Sequence, residues 1–120
     1  MTTTAITVRP LSGSTDGRGI KVAATSTPGT LVHTAQASAT DMDVPELQAY
    51  NSHTADVTVT FECGGVSAPD DHVKRTIPAG ETIGVPLPAL RNGLVLRAFA
   101  SVTNVIVITG APGVKRITVT

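Results

Sequence analysis

The sequence predicts an all-β fold, a single antiparallel β-sandwich or jelly-roll-like barrel with a flexible N-terminal arm, and three observations predict it. Threonine and valine together make up more than about a quarter of the residues, and branching at Cβ favours extended chain over helix. Short runs of alternating apolar residues recur between clusters of glycine, proline, asparagine and aspartate, at the spacing of sandwiches and barrels. No stretch longer than about two turns carries a 3.6-residue apolar period. At 120 residues the chain is long enough for one core and too short for two domains.

The elements follow in order. Residues 1–19 include SGSTDGRG and few large apolar side chains, so they are expected to form an arm that is flexible or ordered by a partner, with only Ile6–Val8 extended. The domain then spans residues 20–120. Strands are expected at Ile20–Thr25, Leu31–Ala35, Glu46–Asn51, Asp56–Glu62, Val73–Ile77, Thr82–Val85, Leu94–Ala100, Asn104–Gly110 and Arg116–Val119. ADVTVTFE has the clearest period of two: Val57, Val59 and Phe61 take a core face, and Thr58, Thr60 and Glu62 a face toward water. NVIVITG is nearly continuous in aliphatics, which predicts burial on both faces or contact with another subunit. Pro78, Pro86 and Pro88 cannot donate to a ladder, so IPAGETIGVPLPAL belongs at edges and turns. Asn92-Gly93, Thr27–Thr30 and Ala111–Gly113 read as turns, as does ATDMD, where Asp41 and Asp43 are of the type that bonds its own backbone.

Composition narrows the function. The formal net charge is zero, and no basic stripe interleaves with aromatics, so nucleic acid is not an expected partner. Aromatic residues are 2% of the chain and tryptophan is absent, which removes the usual platforms for stacking sugars and bases. No run approaches the roughly 18 apolar residues of a membrane span, and the N-terminus lacks the charged start and apolar run of a secretory signal, so no membrane association is expected. One cysteine excludes an internal disulfide framework and is compatible with synthesis in the cytosol.

The stretch ECGGVSAPDDHVKRTIPAG gathers Cys63, Asp70, Asp71 and His72 within a few residues. That set mixes soft sulfur with hard oxygen and matches no zinc or calcium spacing, so it reads as a hairpin with a long loop and not as a metal site. Cys63 then reads as a small hydrophobe or inert thiol at a strand end. His33, His53 and His72 fall on different elements and none follows a nucleophile signature. The expectation is therefore no catalytic residue, no metal, no cofactor and no small-molecule substrate. Arg9, Arg91, Arg97 and Arg116 are candidates for paired contacts to carboxylates of a partner, or else solvated edge charges that discourage aggregation.

From Leu31 onward, LVHTA, ELQAYNSHTADVTVTFECGG, the PDD loop with RTIPAG, GVPLPALRNGLVLRAFA, NVIVITG and VKRI follow one another in an order that resembles the small head decoration, or cement, proteins of tailed bacteriophages. The resemblance covers roughly three quarters of the chain. It implies a compact β-sandwich or jelly roll, made in the bacterial host cytoplasm, that sits on the outer capsid surface of the virion. Its implied partners are the major capsid protein and copies of itself, as a dimer or trimer. The arm suits such a role, since backbone pairing by Thr4, Ile6, Val8 and Arg9 grips a neighbour without aromatic anchors. The rival expectation is a neck, tail or fibre-associated β module that joins virion components or recognises a host surface.

Overall fold

The computed structural model describes residues 4–119; residues 1–3 of the expected arm and residue 120 of the domain lie outside the described residues. Among these residues nine strands follow in order: β1 Thr4–Arg9, β2 Ile20–Lys21, β3 Thr30–Thr34, β4 Met42–Asn51, β5 Val57–Cys63, β6 His72–Ile77, β7 Thr82–Pro86, β8 Val95–Ala100 and β9 Ile106–Val119. There is no helix among the described residues. The strands form two antiparallel sheets. The first runs β1-β9-β4-β7 with β2 also beside β9, and the second runs β3-β8-β5-β6.

The core between the sheets is aliphatic apart from Phe61. Leu47 and Ala49 of β4, Ile106 and Ile108 of β9 and Val85 of β7 meet Val57, Val59 and Phe61 of β5 and Leu96 and Ala98 of β8, all buried. Period two places these side chains on the inner faces. Small residues opposite large ones let the layers close, as at Phe61 facing Ala98 across β5 and β8. The side chain of Asn51 is buried at the end of β4, where its Nδ2 donates to the carbonyls of Ala55 and Ile77 at 3.0 and 2.9 Å and its Oδ1 accepts from the His53 amide at 2.9 Å. That residue ties the first sheet to the β5–β6 hairpin with no polar atom left over.

Four details differ from the sequence reading. The two strands expected at Asn104–Gly110 and Arg116–Val119 are one fourteen-residue strand, β9. Its Ala111-Pro112 pair, which reads as a turn, is absorbed where Glu46 opposes Gly113 and the next residue, Leu47, opposes Gly110. Two residues are thereby extra on β9, a bulge that bends the strand without ending it. Gly113 is required there, because at φ 138° a Cβ would lie 2.4 Å from the Arg9 carbonyl oxygen. Second, within the stretch expected as an arm, Thr4–Arg9 pair with β9 through six registers and Leu11 enters the core. Third, Asp43 is not a turn residue but lies in β4, fully buried. Fourth, Thr60 and Glu62 do not face water: Thr60 is 2% exposed and Glu62 0%, and at Glu62 the loop between β2 and β3 folds over the outer face of β5.

Beyond the bulge, the first halves of β4 and the second half of β9 continue with β1 as a three-stranded extension. The molecule is accordingly long, 54 × 26 × 20 Å.

Candidate functional site

The extension has its apolar side turned outward. In an antiparallel ladder, residues directly opposite share a face. Asp43, Arg116 and Thr7 form one row, and Pro45, Val114 and Arg9 another; with Asp43 and Val114 buried, these rows continue the inner face. The alternate rows are therefore outward: Met42, Ile117 and Ile6, then Val44, Lys115 and Val8, with Thr4 beside Val119. Ile6 is 63% exposed and Val8 59%. Strands that pack on a core ordinarily turn their aliphatic side chains inward, and here six of them point to the solvent side. The one charged pair on this face among the described residues is self-neutralising, Lys115 Nζ to Glu46 Oε1 at 3.1 Å. An open groove of about 420 Å³ adjoins it, walled by Val44, Leu47, Val85, Pro86, Leu87 and Ala111.

Beneath the extension lies a buried polar strut. Arg116 grips Asp43 with two parallel bonds, Nε to Oδ1 at 2.8 Å and a terminal nitrogen to Oδ2 at 2.9 Å. His33 of β3 reaches across from the other sheet and bonds Asp43 Oδ2 through Nε2 at 2.8 Å. The other ring nitrogen, Nδ1, accepts from the Ser12 amide at 3.0 Å, which fixes the tautomer: Nε2 carries the proton and donates it to Asp43. Burial by itself raises the Asp43 carboxyl pKa, but the hydrogen bonds from Arg116 and His33 and the guanidinium charge outweigh it, so the net shift is downward from 3.8. The Arg116 guanidinium is correspondingly held more firmly charged, chiefly by its bond to Asp43. Ser12, His33 and Asp43 share the residue types of a hydrolytic triad but not its geometry. The serine meets the imidazole through its backbone N–H while its hydroxyl accepts from the Thr34 amide at 2.7 Å, so neither ring nitrogen is free to activate a nucleophile.

A second buried carboxylate, Glu62, sits on the outer face of β5. The Gly29 amide donates to its Oε1 at 2.6 Å and the Thr27 hydroxyl to its Oε2, so the carboxylate pins the β2–β3 loop down. Arg97, opposite Glu62 on β8, donates to the Gly29 carbonyl at 3.3 Å, clasping the same loop. His72, opposite on β6, brings Nε2 to 3.8 Å from Glu62 Oε2, too far for a hydrogen bond, and that nitrogen has no partner among the described residues. Its ring meets Phe99 edge-on at 5.9 Å.

The residues singled out in the sequence fall into two sets. Thr4, Ile6 and Val8 come together on the outward face, and Arg9 is exposed at the end of β1. Arg91 is exposed and donates to the Ala39 carbonyl at 3.1 Å. Arg97 and Arg116 are engaged internally, Arg97 with the β2–β3 loop and Arg116 with Asp43. Met42, Val44, Ile117 and Val119 complete the face and were not singled out. The alternation in KRITV, which sets Lys115, Ile117 and Val119 against Arg116 and Thr118, is the signal that identifies the face once the partner strand is known.

The Cys63–His72 stretch is the β5–β6 hairpin and its loop, with Glu62 opposite His72. No three His, Cys, Asp or Glu side chains converge in it or elsewhere among the described residues to hold a metal ion. Burial, with the nearby Asp71 carboxylate, pushes the Cys63 thiol up to about 11. At neutral pH the native protein is therefore expected to react with a thiol alkylating agent at least tenfold more slowly than the urea-unfolded chain. Equal rates, read by mass spectrometry, would contradict that burial. No protein-family model matches the chain, and neither a curated protein nor a solved structure matches it.

Proposed function

We propose that this protein is a non-enzymatic structural component of a phage virion that decorates the outer capsid surface and bridges major capsid protein subunits through the outward face of the first sheet. The observation that carries the reading is that face: Ile6, Val8, Met42, Val44, Ile117 and Val119 line one side of a rigid three-stranded ladder and turn away from the core. Burying such a face against a partner supplies affinity without aromatic anchors, at about 25 cal/mol for each Å² of apolar surface covered. Further support comes from the order of motifs from Leu31 onward, which resembles the decoration proteins, and from strand pairing. Setting β1 aside, the orders 2-9-4-7 and 3-8-5-6 are those we read as a jelly roll, an architecture that recurs in viral capsid proteins.

In this reading the protein binds the assembled shell in preference to free subunits, so mass action stabilises the shell. Individually weak contacts suffice when subunits are bridged, because the second contact forms at high effective concentration. Co-sedimentation with heads prepared without the protein tests the reading. Saturable binding at lattice stoichiometry is expected for the native chain, and loss of binding for a Val44→Glu, Ile117→Glu variant whose urea midpoint shows that it folds. Undiminished binding by that variant would remove the face from the mechanism, and binding by the native chain to tails but not to heads would replace decoration with a neck or tail role.

A further inference from the structure

β1 ends the first sheet: β9 lies along one side, and among the described residues no strand lies along the other. Natural edges are blunted by bulges, prolines, inward-pointing charges or short length. In β1 the ladder with β9 is unbroken over six pairs, no proline interrupts Thr4–Arg9, and the one charge, Arg9, stands at the end. All six residues are exposed, and Thr4, Ile6, Thr7 and Val8 are β-branched. This edge is shaped for pairing.

We propose that the partner on this edge is β1 of a second copy of the chain, antiparallel about a two-fold axis through Ile6. That register sets Ile6 opposite Ile6, Thr4 opposite Val8 and Ala5 opposite Thr7. Every pair matches in face, because Thr4, Ile6 and Val8 are outward and Ala5 and Thr7 are on the other side. The two Arg9 side chains then lie at opposite ends of the ladder, whereas a parallel alignment sets them side by side, so the charge pattern selects the antiparallel arrangement. From Thr4 to Val8 the strand is thus its own complement, which a two-fold contact between identical edges requires. The contact also closes on itself: each copy uses its β1 edge once, and the assembly stops at two. The joined sheet runs β7-β4-β9-β1-β1-β9-β4-β7, and the outward row of Met42, Ile117 and Ile6 continues across the axis into its copy. A ladder of five residues, Thr4–Val8, falls below the roughly 1,200 Å² of a stable interface, so the dimer is a weak one whose population rises with concentration.

This inference stands apart from capsid attachment, and its test needs no heads. Sedimentation velocity of the full chain from about 10 μM to about 1 mM, the span over which so small an interface acts, is expected to show a monomer passing into a dimer. Ile6→Lys or Ile6→Glu places like charges face to face on the axis and is expected to weaken association at least tenfold. An equimolar mixture of the two variants sets Lys against Glu and is expected to restore it. Ile6 is 63% exposed, so both variants keep the native urea midpoint. A chain that stays monomeric across the range, a dimer unaffected by either variant, or a mixture no better than its components would overturn the proposal.

Discussion

Replacing Asp43 by alanine is expected to lower the unfolding free energy by about 3–5 kcal/mol, because it leaves the Arg116 guanidinium and the buried His33 N–H without their acceptor. Asp43 is wholly buried and takes three hydrogen bonds under 3 Å from those two residues. Against a typical domain stability of about 5–15 kcal/mol, that is a large fraction of the whole. The network joins β4 and β9 within the extension to β3 of the other sheet, so its loss loosens both the sandwich and the platform of the outward face. Urea denaturation measures it directly, and a loss under about 1 kcal/mol would mean that water replaces the carboxylate at little cost.

The same carboxylate gives the protein an acid limb. Its folded pKa lies below the ordinary value of 3.8, so its contribution to stability is fully present above that value and is lost as pH falls through the folded one. Asp43→Asn is expected to be less stable than the native chain at pH 6 and to lose less stability on further acidification. Parallel pH profiles for the two proteins would contradict the assignment.

Replacing Glu62 by alanine is the second large effect. It strands the Gly29 amide and the Thr27 hydroxyl under a covering loop, at an expected cost of about 2–4 kcal/mol. Unlike the loss of Asp43, the damage is expected to be local: amide exchange at residues 25–29 rises at least tenfold while β4 and β9 keep their protection. Glu62→Gln retains an acceptor and recovers part of the loss. Unchanged exchange in the loop would mean that Arg97 and the Gly29 packing hold it without the carboxylate.

Local patterns were legible where a strand pairs with its neighbour in sequence. ADVTVTFE and VKRTI gave β5 and β6 because alternation and turn residues are both short-range, and the prolines of IPAGETIGVPLPAL marked β7 as an edge strand. What escaped depends on partners distant in sequence. Ala111-Pro112-Gly113 carries the chemistry of a turn, and only the register of β4 shows that the strand runs through it. Asp43 looks like any aspartate in a polar stretch until Arg116 and His33 converge on it, and Glu62 looks like the polar half of an alternating strand until residues 27–29 close over it. The outward face was half legible. Ile6 and Val8 stood out as the extended part of an arm poor in core residues, but Met42, Val44 and Ile117 join them only through pairings across the whole length of the chain.

In the proposed role the protein stabilises an assembled shell as the outward face of its first sheet becomes covered. The most direct measurement is the temperature at which heads prepared without the protein break open, read with and without saturating native chain. A clear rise with the native chain, absent with the Val44→Glu, Ile117→Glu variant, is the predicted result. An unchanged disruption temperature at saturating native protein would rule that role out.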